Sequence, residues 1–367
     1  MRLRWPSGMA PTQPYTSSGA GGWSALNLGS SSSRRRGESA AGGCRNEAMQ
    51  LARSTAAGLV WGYYWRAFGD CRAEMKTIAF ACGFCALVAP ALADTLAERI
   101  GHYVPEKAQR SIAVHDGAGS MNVESILDDR SLSTNLLFWH RGVIAPHSGI
   151  GEHFHNHCEE MFVILSGEAE FTINGRTSLL KAPVGAPVRV GNAHAIYNPT
   201  DQPVEWMNIN VGTSKVYDAF DLGDARVGVA KDPIPQFITM KLDHADLKPV
   251  PQMNGEAGIV LRRRVLGPAV FYTPWAYVDH LIVQRGASTG TSKMADMSEA
   301  YYVVSGDGSV TVEGETVAIK IGDAIPVDLG RSKSFTAGSG PLELMVVGIA
   351  RDMRTKDAFA AVAANAN

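Results

Sequence analysis

Three histidines and a glutamate in two short stretches carry the clearest chemistry in this chain of 367 residues. In the first, GIGEHFHNHCEEMFVILSG (149–167), His153 and His155 stand two apart and Glu160 opens an apolar run. In the second, His194 lies in the frame G-x2-H-x3-N between Gly191 and Asn198. Successive residues of a strand point to opposite faces, so His153 and His155 share a face. Glu160 is expected to meet them from the neighbouring strand after a turn, and His194 from a third strand. Together they form a complete ligand set for one divalent metal, because such groups are costly to bury in an apolar barrel without an ion to hold. Three imidazoles and a carboxylate suit Mn, Fe, Co, Ni, Cu or Zn better than Ca or Mg, which prefer oxygen. Four protein ligands leave positions open on an ion that accepts six, as in a catalytic rather than a closed structural site.

On these residues the chain resembles the cupin family, whose motifs read G-x5-H-x-H-x3/4-E-x6-G and G-x5-P-x-G-x2-H-x3-N. His153, His155, Glu160 and Gly167 meet the first, and Gly191, His194 and Asn198 the second. His147 stands at the leading glycine and Arg189 at the proline, departures that touch loop shape and pocket chemistry but remove no ligand. The resemblance implies a double-sheet jelly roll. It also implies a metal-dependent enzyme on a small polar molecule, of dioxygenase, decarboxylase, lyase or isomerase type. A non-enzymatic metal or small-molecule binder and an assembly module, monomeric or pairing sheet to sheet, are the other readings, since fold does not choose among them.

A repeat at a fixed offset runs through the chain. Glu160, Gly167, Pro187 and Gly191 map to Glu299, Gly306, Pro326 and Gly330, each 139 residues on. The same step sends His153 to Ser292, His155 to Met294, His194 to Lys333 and Asn198 to Ala337, so the copy keeps its turn glycines and loses three of four ligands. The expectation is an all-β protein of two tandem double-stranded β-helix (jelly-roll) barrels, with metal in the first lobe only. Lys333 is expected to neutralise Glu299 where the ion is missing, with pliable Met294 filling the gap. Charges far apart, or both in bulk solvent, would refute that pairing.

Short alternating or apolar runs separated by NG, PVGAP and NPTDQP turns support the antiparallel β reading. The first lobe is assigned to residues 94–225, a linker to 226–248, the degenerate lobe to 249–351, and a short helical tail to 352–367. Upstream, Met75-Lys76 and the run TIAFACGFCALVAPALA have the layout of a signal peptide cleaved after Ala93 (75–93), too short for a membrane span. Secretion or periplasmic export follows, with 1–74 as a non-native upstream extension or disordered leader. The acid-free first 37 residues allow an organellar transit peptide instead. Cleavage would leave Cys158 as the sole cysteine, and therefore no internal disulfide.

With 19% charged residues and a formal net charge of −2, nothing points to nucleic acid. Arg262 to Arg264 read as solvated charge at a strand entrance. Cys158 reads as a small residue in a tight turn, and His157 and Glu159 as a solvent-facing loop. Asn198 is placed to orient His194 or substrate. Trp139, Arg141 and His147 lead into the first motif; Trp139 and Arg141 share a face, and Arg141 is an anion clamp if that face lines the barrel and a surface charge if not. Trp206, Asn208 and Asn210 form a same-face set read as core. His102, His115, His140, His244 and His280 show no ligand spacing and receive no role.

Overall fold

The computed structural model describes residues 94–256 and 258–365, so the expected leader and signal peptide lie outside the described residues. Strands dominate it, and every pairing among the named strands is antiparallel. In the first lobe a seven-stranded sheet contains Leu136–Ile144, Cys158–Ile164, Val184–Val188 and Val204–Gly212. It faces a five-stranded sheet that includes Ser148–Phe154, Glu168–Ile173 and His194–Asn198. Their inner faces enclose one apolar core around Ile144, Phe162, Phe171, Ile196 and Trp206. A second seven-stranded sheet faces a four-stranded one in the second lobe, with Leu281, Tyr301, Val310 and Phe335 between them.

The sequence repeat is a repeat of strands. Leu136–Ile144, Cys158–Ile164 and Val184–Val188 correspond at one offset to Trp275–Val283, Met297–Ser305 and Asp323–Val327. The step shortens by one at the closing strands, Val204–Gly212 and Leu342–Ala350, because the preceding turn has five residues (199–203) in the first lobe and four (338–341) in the second. The chain ends in the helix Met353–Asn365, whose Lys356 ammonium is buried against the carbonyls of Phe271 and Thr273. Among the described residues no helix is long and apolar enough to cross a membrane.

A third core binds the lobes through the outer faces of the two seven-stranded sheets, with Trp139, Met161, Met207 and Ile209 against Trp275, Tyr302, Met345 and Val347. The lobes also exchange edge strands. Gly101–His102, ahead of the first lobe, pairs with Asp323–Val327 of the second, while Met240–Lys241, between the lobes, pairs with Val184–Val188 of the first. Each covers backbone groups that would otherwise be exposed on a sheet edge.

This junction decides several sequence expectations. Trp139 and Arg141 do share a face, but it is the outer one. Trp139 is fully buried in the third core, and Arg141 donates to Glu205, Tyr302, Gly142 and Trp206 while lying over the Tyr103 ring. Arg141 is therefore an interface residue, neither a substrate clamp nor a surface charge. Glu159 is buried as well, not in a solvent-facing loop: its carboxylate accepts from the backbone N–H groups of Tyr272 and Thr273 and from the Thr273 hydroxyl. Arg189, at the family's proline position, donates to Val270 O, Ala269 O and Tyr272 Oη and ties the same loop.

Glu343 sits on the junction face beside His244 and His280, whose Nε2 atoms lie 2.9 and 2.8 Å from its Oε1. Burial works against its charge, but hydrogen bonds from His280, His244 and Ser305 outweigh that and hold the carboxyl at about 2. A depressed carboxyl contributes stability above the unfolded range of roughly 4.3 and loses it as pH falls towards the folded value. Glu343→Gln is expected to cost roughly 1–3 kcal/mol at neutral pH, a difference that shrinks below about pH 4 in urea titrations run across pH. Because both lobes build the third core, calorimetry should show one unfolding transition, and Trp139→Ala should lower stability by about 3–5 kcal/mol.

Candidate metal centre

The sandwich brings the four sequence-predicted ligands to one point. His153 lies near the end of Ser148–Phe154 and His155 one residue beyond it; His194 opens His194–Asn198 and is paired directly opposite His153. Glu160 comes from Cys158–Ile164, which belongs to the opposing sheet rather than the neighbouring strand. It therefore meets the imidazoles across the sandwich. All four are buried, with relative exposures of 2% or less. His194 Nε2 stands 3.0 Å and His153 Nε2 3.9 Å from Glu160 Oε2, and His155 Nε2 is 3.5 Å from Oε1. Ligands bound about 2.0–2.2 Å from one ion lie roughly 3 Å apart, so this cluster has the dimensions of a metal site.

Hydrogen bonding on the far side of the rings sets their readiness. His153 Nδ1 is 2.8 Å from Gly151 O and His155 Nδ1 is 2.5 Å from Asp218 O, so each donates there and turns its Nε2 into the cluster. His155 Nε2 is buried without a hydrogen-bond partner, an orphan that an ion would satisfy. Glu160 is held by Asn210 Nδ2, which donates to Oε1 at 2.8 Å. Burial lowers His153 to about 2, so it is neutral. Glu160 is kept ionised well below the carboxylate range: burial opposes its charge, but His155 and His194 outweigh it. The donor set fits one divalent transition metal.

The segment after the closing strand, at the end of the span assigned to the first lobe, completes the site. Asp218 supplies the His155 acceptor, and its carboxylate takes the N–H groups of Asn156 and His157 and the exposed His157 ring. Tyr217 packs 5.4 Å from the His155 ring, and His115 stacks on His153 at 3.8 Å while its Nδ1 meets Asp221. Beside His153 opens a cavity of about 380 Å³, apolar over most of its wall, where Val123, Ile150 and Trp206 are joined by His115, His140 and Tyr217. Burial pulls His140 down to about 4, and burial together with Glu160 pushes the Tyr217 hydroxyl well up. No local spacing marks His115, His140, Tyr217 or Asp218; they are recruited by packing between distant segments.

The remaining site expectations divide. Cys158 is buried, with its sulfur 3.4 Å from Asn210 Nδ2. Asn198 is not beside His194 but at the other end of its strand, its side chain bridging Ala145 O, Gln202 O and the Thr200 N–H. It shapes a turn. His147 is exposed, paired with Asp201, and takes φ of +51°, the conformation that suits the glycine it replaces.

Comparison with known proteins agrees with this geometry. Residues 140–210 match the cupin domain model, which spans His153, His155, Glu160 and His194. The fold resembles an oxalate decarboxylase from Lactobacillus farciminis solved as a formate complex, at 16% identity over 68% of this chain and 86% of that one, with a TM-score of 0.50. The chain has a two-lobed cupin fold, and its first lobe carries the cupin domain match. Lower-scoring likenesses are a salicylate 1,2-dioxygenase from Pseudoaminobacter salicylatoxidans (17% identity, 61% and 72% covered, TM-score 0.48) and an oxalate decarboxylase from Bacillus subtilis (15%, 69% and 76%, 0.47). No curated protein matches the sequence.

In the second lobe the equivalent ligand positions hold an ion pair. Lys333 Nζ lies 2.6 Å from Glu299 Oε2, and both residues are buried. The hydroxyls of Tyr277 and Tyr301 also donate to Glu299, at 2.6 and 2.8 Å. Met294 packs on that core with its sulfur 3.6 Å from Tyr277 Oη. The expected substitution of an ammonium for an ion is the arrangement found.

Asn210 reaches the first lobe's cluster only through Glu160. Asn210→Ala is expected to weaken metal retention by about 10- to 100-fold while His194→Ala abolishes it, both measured by chelator competition.

Proposed function

We propose that this cupin holds one divalent transition metal (Mn, Fe, Co, Ni, Cu or Zn) on His153, His155, Glu160 and His194 and is an enzyme acting on a small organic molecule. The observation that carries the reading is the cavity beside His153, which adds the titratable side chains of His115, His140 and Tyr217 to the ligand cluster. A sealed structural or storage site has no need of them. The ion would supply Lewis acidity or one-electron chemistry at substrate oxygens.

The protein's own groups supply binding and proton movement. His140 is neutral at physiological pH, because burial holds its ring at about 4, and is therefore able to accept a proton. Tyr217, kept protonated by burial and by Glu160, has a hydroxyl hydrogen to offer a substrate acceptor. Asn208 Oδ1 is buried and unpartnered at the cavity wall, an acceptor in wait for a substrate hydroxyl or N–H. Among the described residues the wall contains no lysine or arginine, so it does not favour a small dianion. The substrate class it suits has a polar end for the metal and an apolar or aromatic body, narrower than the small polar molecule expected from sequence. The layout of residues 75–93 supports an exported protein, checked by sequencing the mature N-terminus, which should be Asp94.

The reading is tested by metal analysis of protein from its natural compartment, then turnover screens with Mn, Fe, Ni and Zn against phenols, small carboxylates and sugars. Phenolic or other aromatic substrates should lead. If no metal copurifies and none raises the melting temperature, the proposal fails. His140→Ala should retain metal yet lose about 10²- to 10⁴-fold in kcat. In the unaltered chain the base limb of kcat/KM should fall only as pH drops towards about 4, where His140 takes up its proton.

A further inference from the structure

The second barrel encloses a cavity of about 230 Å³ over the Lys333–Glu299 pair, at the place that the ligand cluster occupies in the first. Its wall is charged where the first cavity is not. The repeat sends Val123 to Arg262, Ser125 to Arg264, His140 to Asp279 and Phe162 to Tyr301, each 139 residues on. Strand register agrees, since Arg264 lies opposite Asp279 as Ser125 lies opposite His140. Arg262 and Arg264 are thus not solvated charge at a strand entrance: both line the cavity and bind Asp279.

The two carboxylates in this wall are already met. Asp279 accepts from both guanidinium groups, and Glu299 from Lys333, Tyr277 and Tyr301. Three cations stand against two anions, which leaves an excess of one positive charge. Donors remain as well: an ammonium has three N–H bonds, of which Glu299 takes one, and each arginine spends only Nε and Nη2 on Asp279. Leu281, Phe335, Val346, Met294 and Phe359 of the terminal helix supply the apolar part of the wall. The volume lies below the roughly 300–1,000 Å³ of drug-sized ligand sites.

We propose that the second barrel is a separate binding site for a small monocarboxylate with an apolar body, whose carboxylate is received by Lys333 and Arg262. The lost metal ligands have given way to a fixed organic cation, which recognises an anion without an ion to supply. The site is independent of metal in the first barrel.

Benzoate is the probe, titrated calorimetrically into the full chain in chelator and into the same chain carrying His153→Ala and His194→Ala, which disables the first site. Binding of one benzoate should persist in both and be weaker for acetate, which lacks the body, and for benzamide, which lacks the charge. Lys333→Met should weaken it by about tenfold or more. Because that change strands Glu299 in the core, Lys333→Met with Glu299→Leu removes the pair entirely and should show the same loss in a folded protein. The proposal is overturned if benzoate at millimolar concentration gives no binding to the chelator-treated chain. It is equally overturned if benzamide matches benzoate, or if the double variant lacking the Lys333–Glu299 pair binds as tightly as the unaltered chain.

Discussion

A carboxylate carried into the gap between two apolar sheets must find positive charge there, and each barrel of this protein is organised around that demand. Glu160 and Glu299 occupy equivalent positions on equivalent strands. In the first barrel three imidazoles converge on the carboxylate and leave His155 Nε2 without a partner, which is an environment for a divalent ion. In the second, a lysine reaches across from the four-stranded sheet and two tyrosines complete the acceptor's needs. Removing either carboxylate's partner would leave an uncompensated buried charge, which is costlier than never having placed it.

The same strands that present Glu160 inward present Glu159 outward, and outward here means towards the second lobe. The junction is a core in its own right, with polar clamps at Glu159, Arg141 and Arg189 around tryptophans and methionines. Positions around the ligand motif therefore serve two interiors at once. The strand Cys158–Ile164 is buried along its whole length for that reason, rather than alternating between core and solvent.

Much of the centre was legible because ligand chemistry admits few residue types and strand alternation fixes their spacing. The repeat likewise disclosed Lys333 and Glu299 as partners, since one offset superposes the turns of both lobes. Spacing was blind to which sheet carries Glu160, because a turn followed by an apolar run reads the same whether the chain returns beside its strand or crosses to the opposite layer. Alternation placed Trp139 and Arg141 on one face but could not say that the outer face is covered. His115, His140, Tyr217 and Asp218 were invisible for a related reason: Asp218 meets His155 from 63 residues away, and no local pattern encodes such a contact.

The exchanged edge strands give the chain an order of completion. Gly101–His102 emerges early from the ribosome, but its partner Asp323–Val327 is made more than two hundred residues later. The first barrel in turn lacks its own border until Met240–Lys241 arrives, and the His155 acceptor at Asp218 also follows the closing strand. A nascent or truncated chain that stops between the barrels would carry unpaired backbone at a sheet rim, open to pairing with another copy. The first barrel is bordered only once Lys241 is made, and Gly101–His102 stays unpaired until Asp323–Val327 follows.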